Sequence, residues 1–288
     1  MTDRPRSYTT EGVVIRRRNL GEADSILTIF SLHHGKFDAV ARGVRKPTSR
    51  MRGHLEPLTR VQVHVARGRS LDVFTQAESI DAHRALKADL DRLNLALYCA
   101  ELADRFTIDR AEQRPIYELL VDVLKAFDSG ASALAARYFE VHLLAITGYE
   151  PQVDACAICR QKLPEEETLF SGPAGGLVCR ACRPSATSGR ILSVRAIKVL
   201  RYARTTPIAQ FDSLRVGDEL AITVRNGLDH PTSVHWHGIA LRNDMDGAAP
   251  ATPEIAPGAG FTYRFSSPHP GTYWAHPHTG LDTDFGLY

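Results

Sequence analysis

Two pairs of cysteines carry the clearest chemistry in this sequence, Cys156-Ala-Ile-Cys159 and Cys179-Arg-Ala-Cys182. Two intervening residues let both thiolates of a pair turn toward one ion, and two such pairs complete a tetrahedral shell for zinc. The residues between the pairs include Gly172, Gly175 and Gly176, which suit a ribbon that folds back on itself. All four ligands come from the protein. A zinc held there has no open position, and the pattern predicts a structural rather than catalytic ion. A redox pair is the alternative, against which two matched knuckles argue. The fifth cysteine, Cys99, stands among Leu95, Leu97 and Leu102 and reads as a core thiol.

Cations form a second constellation. Arg42, Arg45, Lys46, Arg50 and Arg52 fall in one acid-free run, and Arg16, Arg17 and Arg18 form another cluster. Several cations on one surface can each neutralise a phosphate and release its counterions. A merely solvated charged loop is the competing reading. The net charge of +2 hides a segregation: residues 1–80 carry fourteen basic and eight acidic side chains, for +6. The corresponding balances are −4 for 81–150, +5 for 151–211 and −5 for 212–288. Polyanion binding is therefore expected in the basic modules and not in the tail. Phe37 and Phe74 have the chemistry to stack on bases, but in a small barrel both are expected in the core.

A third group lies in the tail, where His235-Trp-His237 and His276-Pro-His278 are two H-x-H pairs. On a strand, residues two apart point to one face, so each pair can serve a metal such as copper or zinc. His230 and His269 read as loop histidines, and His33, His34, His54, His64, His83 and His142 show no partner pattern.

The elements that must position these groups follow from periodicity. Five short strands are expected at Glu11–Arg16, Asp24–Ser31, Lys36–Arg42, Arg60–Ala66 and Leu71–Ala77, the fourth alternating cleanly through Val61, Val63 and Val65. Five strands in so short a span predict an OB-fold β-barrel over residues 1–80. A helical domain is expected over 81–150. There Ile116, Leu119, Leu120, Val123, Leu124 and Phe127 make one apolar stripe behind Pro115, and a further helix stops at Gly148. The zinc-binding segment occupies 151–190, and Ser193 is placed to cap a helix in a short continuation of the helical domain, 191–211. Residues 212–288 change texture, with short strands and dense Gly and Pro. Hydrophobic content of 43% and charged content of 24% exclude a disordered chain. No apolar run reaches membrane-spanning length, and MTDRPRSYTTEG lacks a signal-type apolar region, so a cytoplasmic protein is expected.

TEGVVIRRRNLGEADSILTIFSLHHGKFDAVARGVRK resembles the N-terminal barrel of the RecO family, and ITGYEPQVDACAICR with GGLVCRAC resembles that family's zinc segment. The resemblance spans about residues 8–210. It implies a non-enzymatic mediator of DNA repair and homologous recombination that binds single- and double-stranded DNA and promotes annealing. It also implies partnership with RecR, for recombinase loading, and with single-strand-binding protein. The helices that close the family's helical body are not recognisable after ARTTPIAQF. The tail phrase VGDELAITVRNGLDHPTSVHWHG, with GTYWAHPHTG, resembles the first cupredoxin domain of multicopper oxidases, over about residues 215–288. That resemblance implies a partial cupredoxin-like β-sandwich, with His235 as a type 2 copper ligand and His237, His276 and His278 as type 3 ligands. The family's mononuclear copper needs a cysteine, and none follows Cys182, so copper binding without oxidase activity is the alternative expectation.

Overall fold

The computed structural model describes residues 6–214, 219–239, 241–266 and 274–278. The chain divides into two compact units, Met1–Leu214 and Arg215–Tyr288.

In the first unit, β1 (Ser7–Leu20), β2 (Asp24–Ser31), β3 (Gly35–Ala41), β4 (Arg60–Ala66) and β5 (Asp72–Asp81) close into a barrel of order β1-β2-β3-β5-β4. The β3–β5 contact is parallel and the other ladders are antiparallel. β1 is longer than its apolar core, Val13 to Ile15, suggests. Its first half pairs with β4 and its second half with β2, with a register shift between Val14 and Arg16. That shift bends the strand from one neighbour to the other, as closure of a small barrel requires. β5 likewise runs past Ala77, because its polar second half still has β4 to pair with. Inside, Val14, Leu27, Ile29, Val61, Val63, Val65, Phe37 and Phe74 fill the barrel. Phe37 and Phe74 are each 2% exposed and are core residues, not stacking platforms.

The helical body follows with α1 (Arg84–Ala88), α2 (Leu90–Phe106), α3 (Arg114–Asp128) and α4 (Leu134–Ile146). The expected stripe on α3 is buried throughout. α4 ends before Gly148, whose φ of 82° is a left-handed conformation that favours glycine. Val13, Ile15 and Phe30 on the outside of the barrel join Leu120, Leu124, Phe127 and Phe139 in one apolar cluster. Barrel and helices therefore share a core. Cys99 is buried in it, and burial pushes its thiol up to about 12.

The cysteine segment forms a small sheet of β6 (Thr168–Ser171), β7 (Gly176–Val178) and β8 (Arg190–Leu192), in the order β7-β6-β8. Ser193 caps α5 (Val194–Thr205), accepting a hydrogen bond from Ala196 N at 3.2 Å. α5 returns Ile197 and Leu200 to the cysteine segment, and α6 (Ile208–Asp212) buries Phe211.

In the second unit, β9 (Glu219–Arg225) pairs with β11 (Gly260–Ser266) and β10 (Val234–His237) with β12 (Trp274–Pro277). Ile255, Tyr263 and Phe265 anchor its core. No helix among the described residues is long and apolar enough to cross a membrane.

Candidate metal centres and nucleic-acid interface

The four sulfurs of Cys156, Cys159, Cys179 and Cys182 lie within 4.8 Å of one another. Zinc–thiolate bonds of about 2.3 Å in a tetrahedron set each sulfur–sulfur edge at about 3.8 Å. Cys159 Sγ and Cys179 Sγ stand 3.8 Å apart, matching such an edge. Backbone geometry favours a thiolate here. Burial alone raises the Cys156 thiol, but N–H groups of Cys159, Cys179 and Ile158 outweigh it and bring the thiol down to about 6. The Cys182 thiol is instead pushed up to about 12, because its hydrogen bond to Cys179, together with burial, favours the neutral form. Four adjacent thiolates cannot coexist without a cation, so this donor set fits a divalent metal. The segment is braced from α5: Arg201 donates twice to Val153 O, at 2.9 and 2.7 Å, and Arg204 pairs with Glu150 and Asp154.

The two cationic clusters meet different fates. Arg16 pairs with Asp104 at 3.3 Å, Arg17 with Glu56 at 3.1 Å and Arg18 with Asp38 at 2.5 Å. Each of the three is thus already opposed by a carboxylate. Arg42, Arg45, Lys46, Arg50 and Arg52 are all exposed and make no ion pair among the described residues. They lie on the connection between β3 and β4. Val44 and Leu55 plug that connection into the barrel core. Gly43 N donates to Asp24 Oδ1 at 2.7 Å and Arg45 N to Ala23 O at 2.9 Å, tying the loop to the β1–β2 turn. The loop therefore offers its cations from a backbone already ordered, which lowers the entropic cost of binding.

In the second unit His235 lies directly opposite His276 on paired strands. The ligand atoms of His235, His237 and His276 fall within 4.8 Å of one another. The ring of His278 is 5.3 Å from that of His235, centroid to centroid, and 6.0 Å from that of His276. His235 Nδ1 lies 2.8 Å from Asp246 O, a contact that fixes the ring beside the cluster. His230 sits on an exposed loop beside Asp229, and His269 lies outside the described residues.

Comparison with known proteins gives two matching family models. One, recombination protein O N terminal, matches residues 5–83, and the other, recombination protein O C terminal, matches 87–241. The DNA repair protein RecO of Roseiflexus sp. is 38% identical over 214 residues, 74% of this chain and 75% of that protein. That of Dehalococcoides mccartyi is 34% identical over 218 residues, 75% of this chain and 86% of its own length. The chain belongs to the RecO family. Likeness to solved multicopper oxidases is short. One from Pseudomonas thermotolerans is 43% identical and covers 22% of this chain and 16% of its own, at a TM-score of 0.21. One from Campylobacter jejuni is 39% identical over 25% of this chain and 16% of its own, at 0.23. Scores that low assign no fold to the tail.

The RecO barrel and its helical body also meet through polar groups that sequence patterns do not reveal. Tyr117 on α3 donates to Glu11 Oε1 on β1 at 2.6 Å, and Arg60 Nη2 sits 2.7 Å from the same oxygen. Burial pushes the Glu11 carboxyl up, yet hydrogen bonds from Tyr117 and Arg60 prevail and leave it below its ordinary value. Lys36 Nζ lies 2.8 Å from Asp104 Oδ1 and donates to Asp104 O at 2.6 Å. The local signals for the Glu11 tie are an acid on β1 and a tyrosine at the edge of the α3 stripe.

Proposed function

We propose that this protein is a DNA repair and homologous recombination mediator that engages single- and double-stranded DNA through the β3–β4 connection. The observation that carries the reading is the contrast between the two clusters. Arg42, Arg45, Lys46, Arg50 and Arg52 stand exposed on an ordered loop without ion pairs among the described residues, while Arg16, Arg17 and Arg18 are opposed by carboxylates. Phosphate contacts made by such cations position nucleic acid without reading its sequence, as strand annealing demands. RecR and single-strand-binding protein are its proposed partners, with RecR assisting recombinase loading. No residue is assigned a catalytic role. Cys156, Cys159, Cys179 and Cys182 would hold a structural zinc, whose contribution is to fix the small sheet against α5. The working compartment is the cytoplasm. Fluorescence anisotropy with labelled single-stranded DNA at several salt concentrations tests the reading. Affinity that does not fall with salt would overturn it.

Copper binding by the tail is a second reading, favoured by the convergence of His235, His237 and His276. His278 would act at its edge. This reading is chelation alone, without oxidase chemistry.

A further inference from the structure

His83 lies where the barrel ends and the helices begin, between β5 and α1. Its side chain is fully buried, and neither ring nitrogen makes a hydrogen bond. A buried imidazole without partners is rare in a folded protein and calls for an explanation. Two carboxylates face it. Nδ1 is 3.4 Å from Asp81 Oδ1 without hydrogen-bond alignment, and Asp128, the last residue of α3, completes a group whose ligand atoms lie within 4.8 Å of one another. Both acids are oriented by backbone: Asp81 Oδ1 accepts from His83 N at 3.0 Å and Asp128 Oδ1 from Leu86 N at 2.8 Å. An ionised carboxylate has about four lone pairs, so these anchors leave capacity for a cation.

We propose that Asp81, His83 and Asp128 form a second divalent-cation site, distinct from the cysteine cluster, which fastens the last barrel strand to the end of α3. One imidazole and two carboxylates suit a first-row transition ion such as manganese or zinc, and not a soft thiophilic ion. Ligand bonds of about 2.0–2.2 Å require ligand atoms no more than about 4.4 Å apart, and Asp81 Oδ1 and His83 Nδ1, at 3.4 Å, already meet that limit. The ion would satisfy the imidazole and offset two carboxylates that otherwise face the half-buried ammonium of Lys87, itself held by Thr59 Oγ1 at 2.8 Å. Arg60 is also nearby, and it is engaged by Glu11.

The test is a titration of the full chain with Mn2+, followed by the electron paramagnetic resonance signal of the free ion. One equivalent of Zn2+ occupies the thiolates, and a His235→Ala/His237→Ala background silences the tail. The expected result is one Mn2+ per chain, selective broadening of the His83 ring proton signals, and affinity at least tenfold weaker in Asp81→Asn/Asp128→Asn. Asparagine keeps the oxygens that accept from His83 N and Leu86 N, so that variant should retain its circular dichroism. If it unfolds, broadening at His83 in the unsubstituted site decides. The inference is overturned by absence of stoichiometric binding or by equal affinity in both chains. It is equally overturned if His83 titrates as a simple imidazolium between two carboxylates, with no broadening by Mn2+.

Discussion

Replacing Arg45, Lys46 and Arg50 together by alanine isolates the loop's contribution to DNA binding. Each cation that neutralises a phosphate on a single strand adds about 0.7 to the slope of log affinity against log salt, so the triple substitution should flatten that slope by about 2. Over a rise from about 50 to about 200 mM salt, the gap in affinity between the two proteins should narrow by about 15- to 20-fold. Base preference should stay unchanged, since phosphate contacts carry no sequence information. The matching control is Arg16→Ala/Arg17→Ala/Arg18→Ala. These side chains already face Asp104, Glu56 and Asp38, so their removal should change the slope by less than about 1. Loss of these partly exposed ion pairs, at about 0–1 kcal/mol each, should lower stability only modestly. Anisotropy titrations of both variants at four salt concentrations suffice. Equal slope changes in the two variants, or none in the first, would refute the claim that pairing within the fold decides which cations are available.

Cys156→Ser/Cys179→Ser should abolish stoichiometric zinc by metal analysis and loosen the 151–192 segment and α5 in hydrogen exchange, leaving the barrel strands protected. Tyr117→Phe removes a buried donor to a carboxylate and should destabilise the first unit by about 1.5–3 kcal/mol in urea unfolding, because bonds to charged acceptors contribute about that much. Glu11 is held below its ordinary value of 4.5, so the stability it contributes is complete above that pH and is lost as pH falls through the folded value. Wild type should therefore lose urea resistance more steeply below about pH 4.5 than Glu11→Gln does. Copper-loaded protein should consume no oxygen with a phenolic substrate, and His235→Ala/His237→Ala should release the copper.

The barrel and the α3 stripe were legible from the chain because both rest on local periodicity. Alternation at Val61, Val63 and Val65 and the helical spacing from Ile116 to Phe127 each specify a buried face whatever lies opposite. The cysteine cluster was legible for the same reason: short spacing within each pair limits where its thiolates can point. Strand length was not, since β1 extends from Ser7 to Leu20 only because two neighbours are available to pair with it. Nor could the chain distinguish its two arginine clusters, which differ by carboxylates distant in sequence. Asp104 reaches Arg16 from the end of α2, while among the described residues the Arg45 guanidinium meets the carbonyl of Gly21 and no carboxylate. His83 shows the same limit most sharply. Asp81-Ala-His83 is an unremarked triplet until the shared core of barrel and helices buries the ring and brings Asp128 beside it. Sequence determines which residues have the chemistry and which faces are apolar. Tertiary structure decides which charges are neutralised and which imidazole loses water, because both depend on contacts between segments far apart in the chain.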